Sequence, residues 1–217
     1  MAITLVIGSK NYSSWSLRPW MLLRHLGIGF DERVLTLDTP EFYGEIGKFN
    51  PARRVPVLQD AELTIWDSIA ICEYLADKTD RGWPKEVAAR AHARSVSAEM
   101  HSGFQALREA CPFNARARDR RVPRTPGLDA DVRRIDEMWA DCRLRFAGGG
   151  PWLFGDYSIA DAMYSSVVLR FNTYGTELSP PSREYLNTAL ADPPLIDWLR
   201  AAESETHRLE KIDAVGR

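Results

Sequence analysis

Ser13, Ser14 and Ser16 crowd into one stretch near the start of the 217-residue chain, SKNYSSWSLRPWMLLRHLGI from Ser9 to Ile28. The apolar run Ile3-Thr4-Leu5-Val6-Ile7 before them suits a buried strand ended by Gly8. Leu17 to Leu26 behind them reads as a helix, with Pro19 in its first turn and Gly27 as its stop. The serines therefore fall on a turn between strand and helix. Backbone N–H groups at a helix start are unpaired and favour anions. A serine hydroxyl beside them can donate to a thiolate, favour its charged form and lower the thiol's pKa. Ser13 and Ser16 have the i, i+3 spacing of a redox CxxC pair with oxygen in place of sulfur. The turn cannot form a disulfide, so any thiol it handles arrives with a substrate. Serine is also among the best N-cap residues, and the turn alone leaves both readings open.

Two later elements carry related chemistry. Val55-Pro56 opens the short apolar run Val55 to Leu58. With a cis bond there, Val55 would offer its N–H and C=O to an extended peptide as an edge strand does. Otherwise Pro56 is a plain edge-strand proline. Arg54 beside it can hold a carboxylate or stand solvated. Asp67 and Ser68 open a helix in which Ser68, Ile71, Cys72 and Leu75 share one face. The N–H and hydroxyl of Ser68 suit a carboxylate and Asp67 suits an ammonium, alongside their ordinary use as a cap.

The elements that position these residues follow from the patterning. A second strand lies within Phe30 to Leu37, centred on Val34 to Leu37. Residues 39–50, broken by Pro40, Gly44 and Gly47, read as irregular or weakly helical. A hairpin then joins Val55–Leu58 to Leu63–Trp66. The order is βαβ and then ββα, with parallel strands and a right-handed crossover in the first half. Residues 1–78 make up this α/β unit, 79–84 a linker holding Gly82 and Pro84, and 85–217 an all-helical unit. Helices are expected over 85–110, 128–147, 158–171, 182–191 and 194–210, with a solvated arginine-rich loop at 112–127. The length suffices for one large domain or two small ones with their own cores, and the first unit is marginal by itself and needs a neighbour to cover its exposed helices.

Composition narrows the function classes. Hydrophobic residues make up 45% and charged residues 27%, and the net charge of −2 gives no pull toward nucleic acid or an anionic membrane. The arginine loop has no aromatic between Arg116 and Arg124 on which bases could stack. No apolar run approaches the roughly 20 residues that span a bilayer. The N-terminus has no basic region followed by a long apolar stretch, and a cytoplasmic location is expected. Cys72, Cys111 and Cys142 read as reduced core thiols. Neither they nor the four histidines have metal-ligand spacing, so no metal site is expected.

The serine turn, Asn50-Pro51 leading to Val55-Pro56-Val57-Leu58, and Asp67-Ser68 at their places in this order resemble the glutathione S-transferase family. The resemblance runs the length of the chain, and the serine-type bacterial members are the nearest pattern. It implies an N-terminal thioredoxin-like α/β domain, an all-α C-terminal domain and a cytoplasmic homodimer acting in detoxification. It implies no permanently bound cofactor, with glutathione as co-substrate and a small electrophile as partner. It further implies a cis Val55-Pro56 holding the cysteinyl part of glutathione, Asp67 and Ser68 holding the γ-glutamyl end, and Arg54 near the glycyl carboxylate. The turn itself is similar to the zeta-type SSCSxR pattern, here Ser13-Ser14-Trp15-Ser16-Leu17-Arg18, with Trp15 in place of the cysteine. Ser13 matches the thiolate-stabilising serine, Ser14 is second choice, and Ser16 is left mainly as the helix cap. Tyr12, Trp15, His101 and Phe104 are candidates for the acceptor pocket. Gly155-Asp156-Tyr157-Ser158-Ile159-Ala160-Asp161 resembles the family's folding motif. Its S-x-x-D capping box gives Asp161 a structural role. The alternatives are a glutathione-dependent cis-trans isomerase of the zeta type and a non-catalytic ligand-binding or interaction protein.

Overall fold

The computed structural model describes residues 3–217. Strands β1 (Ile3–Gly8), β2 (Phe30–Leu35), β3 (Val57–Asp60) and β4 (Leu63–Trp66) form one sheet in the order β2-β1-β3-β4. β1 runs parallel to β2, with Ile3 opposite Phe30, and antiparallel to β3, with Leu5 opposite Leu58. β3 and β4 form the expected hairpin. β1 is central because it can be buried on both faces: Leu5 and Ile7 enter the main core, while Val6 joins Leu35, Phe42, Ile46 and Val57 in a small cluster on the other side.

Helix α1 covers Ser14–Leu26, three residues more at its start than its apolar spacing indicates. The serines are thus its cap and first turn. Pro19 lies one turn further in than expected, removing the bond that would run to the Trp15 carbonyl. Gly27, at φ 70°, ends the helix in the left-handed conformation that glycine adopts without penalty. The weakly helical segment resolves into α2 (Pro40–Glu45) and a 3-10 turn (Ile46–Lys48). Strand β3 begins two residues after the expected Val55, and α3 spans Ser68–Thr79.

The rest is helical: α4 (Val87–Ser102), α5 (Gln105–Ala110), α6 (Pro126–Phe146), α7 (Ile159–Thr173), α8 (Pro180–Leu190), α9 (Pro193–Ser204) and the short α10 (Glu210–Asp213). Three expectations change. The helix over 85–110 breaks at Gly103-Phe104, where Phe104 takes φ 61°. The helix over 194–210 stops at Ser204 and continues as an extended tail. The loop 112–127 is not simply solvated, since Phe113, Asn114, Ala115 and Ala117 are buried. One apolar cluster runs from Leu5 and Ile7 through Leu17 and Leu23 of α1 to Val167 and Leu169 of α7. α7 is buried on all sides, and its start carries the expected capping box. Asp161 accepts from the Leu153 N–H (3.1 Å), the Ser158 N–H (2.9 Å) and the Ser158 hydroxyl (2.9 Å). Cys72, Cys111 and Cys142 are free and buried, and burial raises all three thiols. Among the described residues no helix is long and apolar enough to cross a membrane.

Candidate active site

A cleft of about 400 Å³ opens where the edge of the sheet meets α1, α3 and α4. One wall is the segment before β3. The Val55-Pro56 peptide bond is cis, and Val55, Pro56, Arg54 and Ala52 line the cleft. The Asn50 amide holds this segment by donating to the Arg54 carbonyl at 2.9 Å.

The opposite wall is the start of α3. Asp67 caps the helix, its Oδ1 accepting from the Ile69 N–H at 2.9 Å. It does so at φ 74° and ψ 134°, a strained backbone for a residue with a side chain. Asp67 lines the cleft, and its second oxygen, Oδ2, lies 3.4 Å from His101 Nε2 of α4. Burial, aided by Arg18 and Arg108, lowers the His101 pKa below the ordinary value despite Asp67, so the ring is neutral at neutral pH. Ser68 lines the cleft beside Asp67, its hydroxyl accepting from Arg18 Nη1 at 3.4 Å.

Arg18 is fully buried, and neither its Nε nor its Nη2 has a hydrogen-bond partner. Burial and the neighbouring Arg108 and Arg170 bring its pKa down to about 9, which still leaves it charged at neutral pH. Trp15 lines the cleft and packs against this cation. Arg18 packs over its ring at 4.1 Å, Arg108 of α5 at 5.0 Å, and His101 meets it edge-on at 5.3 Å. One anion, Asp67, therefore shares the cleft region with the guanidinium groups of Arg54, Arg18 and Arg108.

The serine turn lies behind Trp15. Ser13 and Ser14 are 4% and 6% exposed and neither lines the cleft. Ser13 is the N-cap residue of α1, yet its side chain makes no cap bond. Its hydroxyl lies 2.7 Å from that of Ser16, which accepts from the Gly8 N–H at 3.2 Å. Ser16 is therefore not the cap but a tie between β1 and α1. With one lone pair of Ser16 taken by Gly8, its own proton can turn to Ser13, leaving the Ser13 proton free to donate outward.

The cleft thus brings together Arg54, Val55, Pro56, Asp67, Ser68, Trp15 and His101. Two pocket candidates lie elsewhere. Tyr12 is buried, its hydroxyl donating to Asp213 and accepting from Arg116 and the Leu209 N–H. Phe104 is in the main core, because the break at Gly103 destroys the helical register that would have set it on the His101 face. Trp66, missed from sequence, ends β4 and joins the lining directly before Asp67. Ala52 joins it two residues before Arg54. Proximity to residues already singled out was their only signal.

Residues 12–78 match the sequence model of the glutathione S-transferase N-terminal domain. Over 192 residues the chain is 27% identical to a probable maleylacetoacetate isomerase of Caenorhabditis elegans, covering 85% of this chain and 86% of that one. Against maleylacetoacetate isomerase of Rattus norvegicus the identity is 27% over 190 residues, covering 83% and 84%. The fold matches that of a glutathione transferase homologue from Burkholderia GL BGR1, solved with bound glutathione. The TM-score is 0.69 at 22% identity, covering 94% of this chain and 100% of that one. The first unit thus resembles the glutathione S-transferase N-terminal domain, and over most of its length the chain is similar in sequence or fold to members of that family.

Proposed function

We propose that the protein is a glutathione transferase that joins the glutathione sulfur to a small electrophile. The observation that carries this reading is the convergence of Arg54, the cis Val55-Pro56 pair and the Asp67-Ser68 helix start on one cleft. Glutathione has one ammonium and two carboxylates, and the cleft offers one carboxylate among cationic groups. In this reading the cysteinyl backbone pairs with Val55 as an added strand would. The γ-glutamyl ammonium meets Asp67, its carboxylate meets the N–H and hydroxyl of Ser68 at the start of α3, and the glycyl carboxylate meets Arg54. The Ser13 hydroxyl donates to the sulfur, with Ser14 as the second candidate. The thiol releases its proton to water, the thiolate attacks the electrophilic carbon, the C–S bond forms, and the leaving group departs with its electron pair. Serine acts as a hydrogen-bond donor and not as a nucleophile, and no bound cofactor is required.

The test is an initial-rate assay with glutathione and a chlorodinitrobenzene as electrophile. Glutathione-dependent conjugate formation is expected. A protein that neither forms conjugate nor binds glutathione at millimolar concentration contradicts the reading. The full-length isomerase relatives favour one other chemistry at the same cleft, addition and loss of glutathione across a cis double bond. It is separated by whether glutathione is consumed, and Trp15 in the place of the zeta-type cysteine weighs against it. The buried Ser13 favours a non-catalytic binding role, which binding without turnover would reveal. Division at 79–84, a homodimer and a cytoplasmic location complete the proposal.

A further inference from the structure

The turn that carries Ser13 is gripped from the far end of the chain. Residues 9–13 close a short turn, with the Tyr12 and Ser13 N–H groups donating to the Ser9 carbonyl at 3.0 and 2.9 Å. Its other polar groups are met from outside. The Glu205 carboxylate spans two successive backbone donors, Lys10 N–H at 2.6 Å and Asn11 N–H at 3.0 Å. Trp198 Nε1 donates to the Lys10 carbonyl at 3.0 Å. The Ala115 N–H donates to the Asn11 carbonyl and the Arg116 N–H to the Asn11 amide oxygen, both at 2.9 Å.

Tyr12 repeats the arrangement with its side chain. Its hydroxyl donates to Asp213 Oδ2 at 2.9 Å and accepts from Arg116 Nη2 at 2.7 Å and the Leu209 N–H at 3.1 Å. Asp213 Oδ1 accepts from the Asn114 amide at 2.7 Å, and Arg116 also donates to the carbonyls of Glu205 and His207. Glu205 and Asp213 are the nodes of this network, each a carboxylate accepting two bonds. The sequence separations, 195 residues from Lys10 to Glu205 and 201 from Tyr12 to Asp213, mean that local chain stiffness contributes nothing to them.

We propose that the C-terminal segment 205–213 sets the place of Ser13 relative to the glutathione sulfur, making Glu205 and Asp213 positioning residues of the reaction. The inference rests on the glutathione reading. Neither carboxylate lines the cleft, so neither touches substrate. Their effect passes through the turn: exchanging the Glu205 carboxylate for an amide sets an NH2 donor against one of its two backbone donors, and the turn ending at Ser13 shifts to find partners. A hydroxyl-to-sulfur bond is sensitive to such shifts, since displacement of a catalytic group by about 1 Å can cost on the order of a hundredfold in rate.

The experiment compares wild type with Glu205→Gln and Asp213→Asn, which keep shape and one acceptor oxygen. Three quantities are read: the thiol pKa of bound glutathione from thiolate ultraviolet absorbance, kcat, and the affinity for S-methylglutathione, which has no thiol. Each variant is expected to raise the bound thiol pKa by about one unit and lower kcat about tenfold at neutral pH. Affinity for S-methylglutathione should stay within about twofold of wild type. A general structural defect would instead weaken S-methylglutathione binding in step with kcat, and that result overturns the proposal. So does a folded variant with unchanged thiol pKa. Should either carboxylate variant fail to fold, Tyr12→Phe removes one hydroxyl from the same network and carries the same expectation. Wild type that binds glutathione without lowering its thiol pKa sinks the Ser13 role and this inference together. A wild-type shift that survives in all variants sinks this inference alone.

Discussion

The starts of α1 and α3 lie close to one cleft, which Trp15 and Ser68 line, and are built in opposite ways. At α3, Asp67 caps its own helix by one local bond to Ile69, with its second oxygen beside His101, and lines the cleft. At α1, the Ser13 hydroxyl makes no cap bond and is tied to Ser16, while the turn before it is held by residues from 114 to 213. The first terminus is open to the cleft, and the second is closed, its geometry depending on the rest of the chain. Charge recognition tolerates the first arrangement, because an ammonium or carboxylate is drawn in over several ångströms. Directing one hydroxyl proton at a sulfur needs the second.

Substitutions should therefore separate binding from rate. Ser13→Ala is expected to lower kcat/KM with a chlorodinitrobenzene about 500-fold, close to 4 kcal/mol, with little change in the affinity for S-methylglutathione. Retained activity would move the role to Ser14.

A third helix start, that of α7, is a control because its cap faces no cleft. Burial raises the Asp161 pKa from 3.8 to about 6 in spite of its donors. Its folded pKa is above its unfolded one, so the folded state holds this proton more tightly. That stability is present below the unfolded value and is lost as pH rises through the folded value. The unfolding free energy of wild type minus Asp161→Asn should fall by about 3 kcal/mol between about pH 4 and pH 7. Denaturant titrations across that range measure it, and a flat difference contradicts it.

At the open terminus, Asp67→Ala should weaken glutathione binding about thirtyfold, roughly 2 kcal/mol, leaving kcat at saturation within about threefold. Calorimetry and steady-state rates together test this, and an equal fall in kcat would erase the contrast between the two termini. The smallest effect is expected for Ser16→Ala, which removes the hydroxyl orienting Ser13. It should cost about fivefold in kcat, close to 1 kcal/mol, without weakening S-methylglutathione binding.

The same contrast explains what could be read from the residues. The cleft wall from Arg54 to Ser68 was legible because each part is a short local pattern: a proline at a strand entrance, an acid and a serine at a helix start. The β-strands followed from β-branched apolar runs: β4 lies where expected, β1 runs on through Gly8, β3 starts two residues late, and β2 lies toward Phe30 from its expected centre. The capping box at Ser158 and Asp161 was equally local. What was not legible is non-local. Tyr12 stands beside the serines in sequence, yet Arg116, Leu209 and Asp213 draw its hydroxyl away from the cleft. Phe104 has helical spacing from His101, but one glycine between them breaks the helix. The arginine loop suggested a solvated surface, whereas Arg116 is the hub that joins it to the tail. No periodicity marks Glu205, whose partners lie at the other end of the chain.

The central claim is that this cleft holds glutathione. A calorimetric titration of the intact wild-type protein with glutathione at neutral pH tests it most directly. The account predicts saturable binding at one site per chain with a dissociation constant below millimolar. The absence of saturable heat up to several millimolar, with the protein folded throughout, would contradict it.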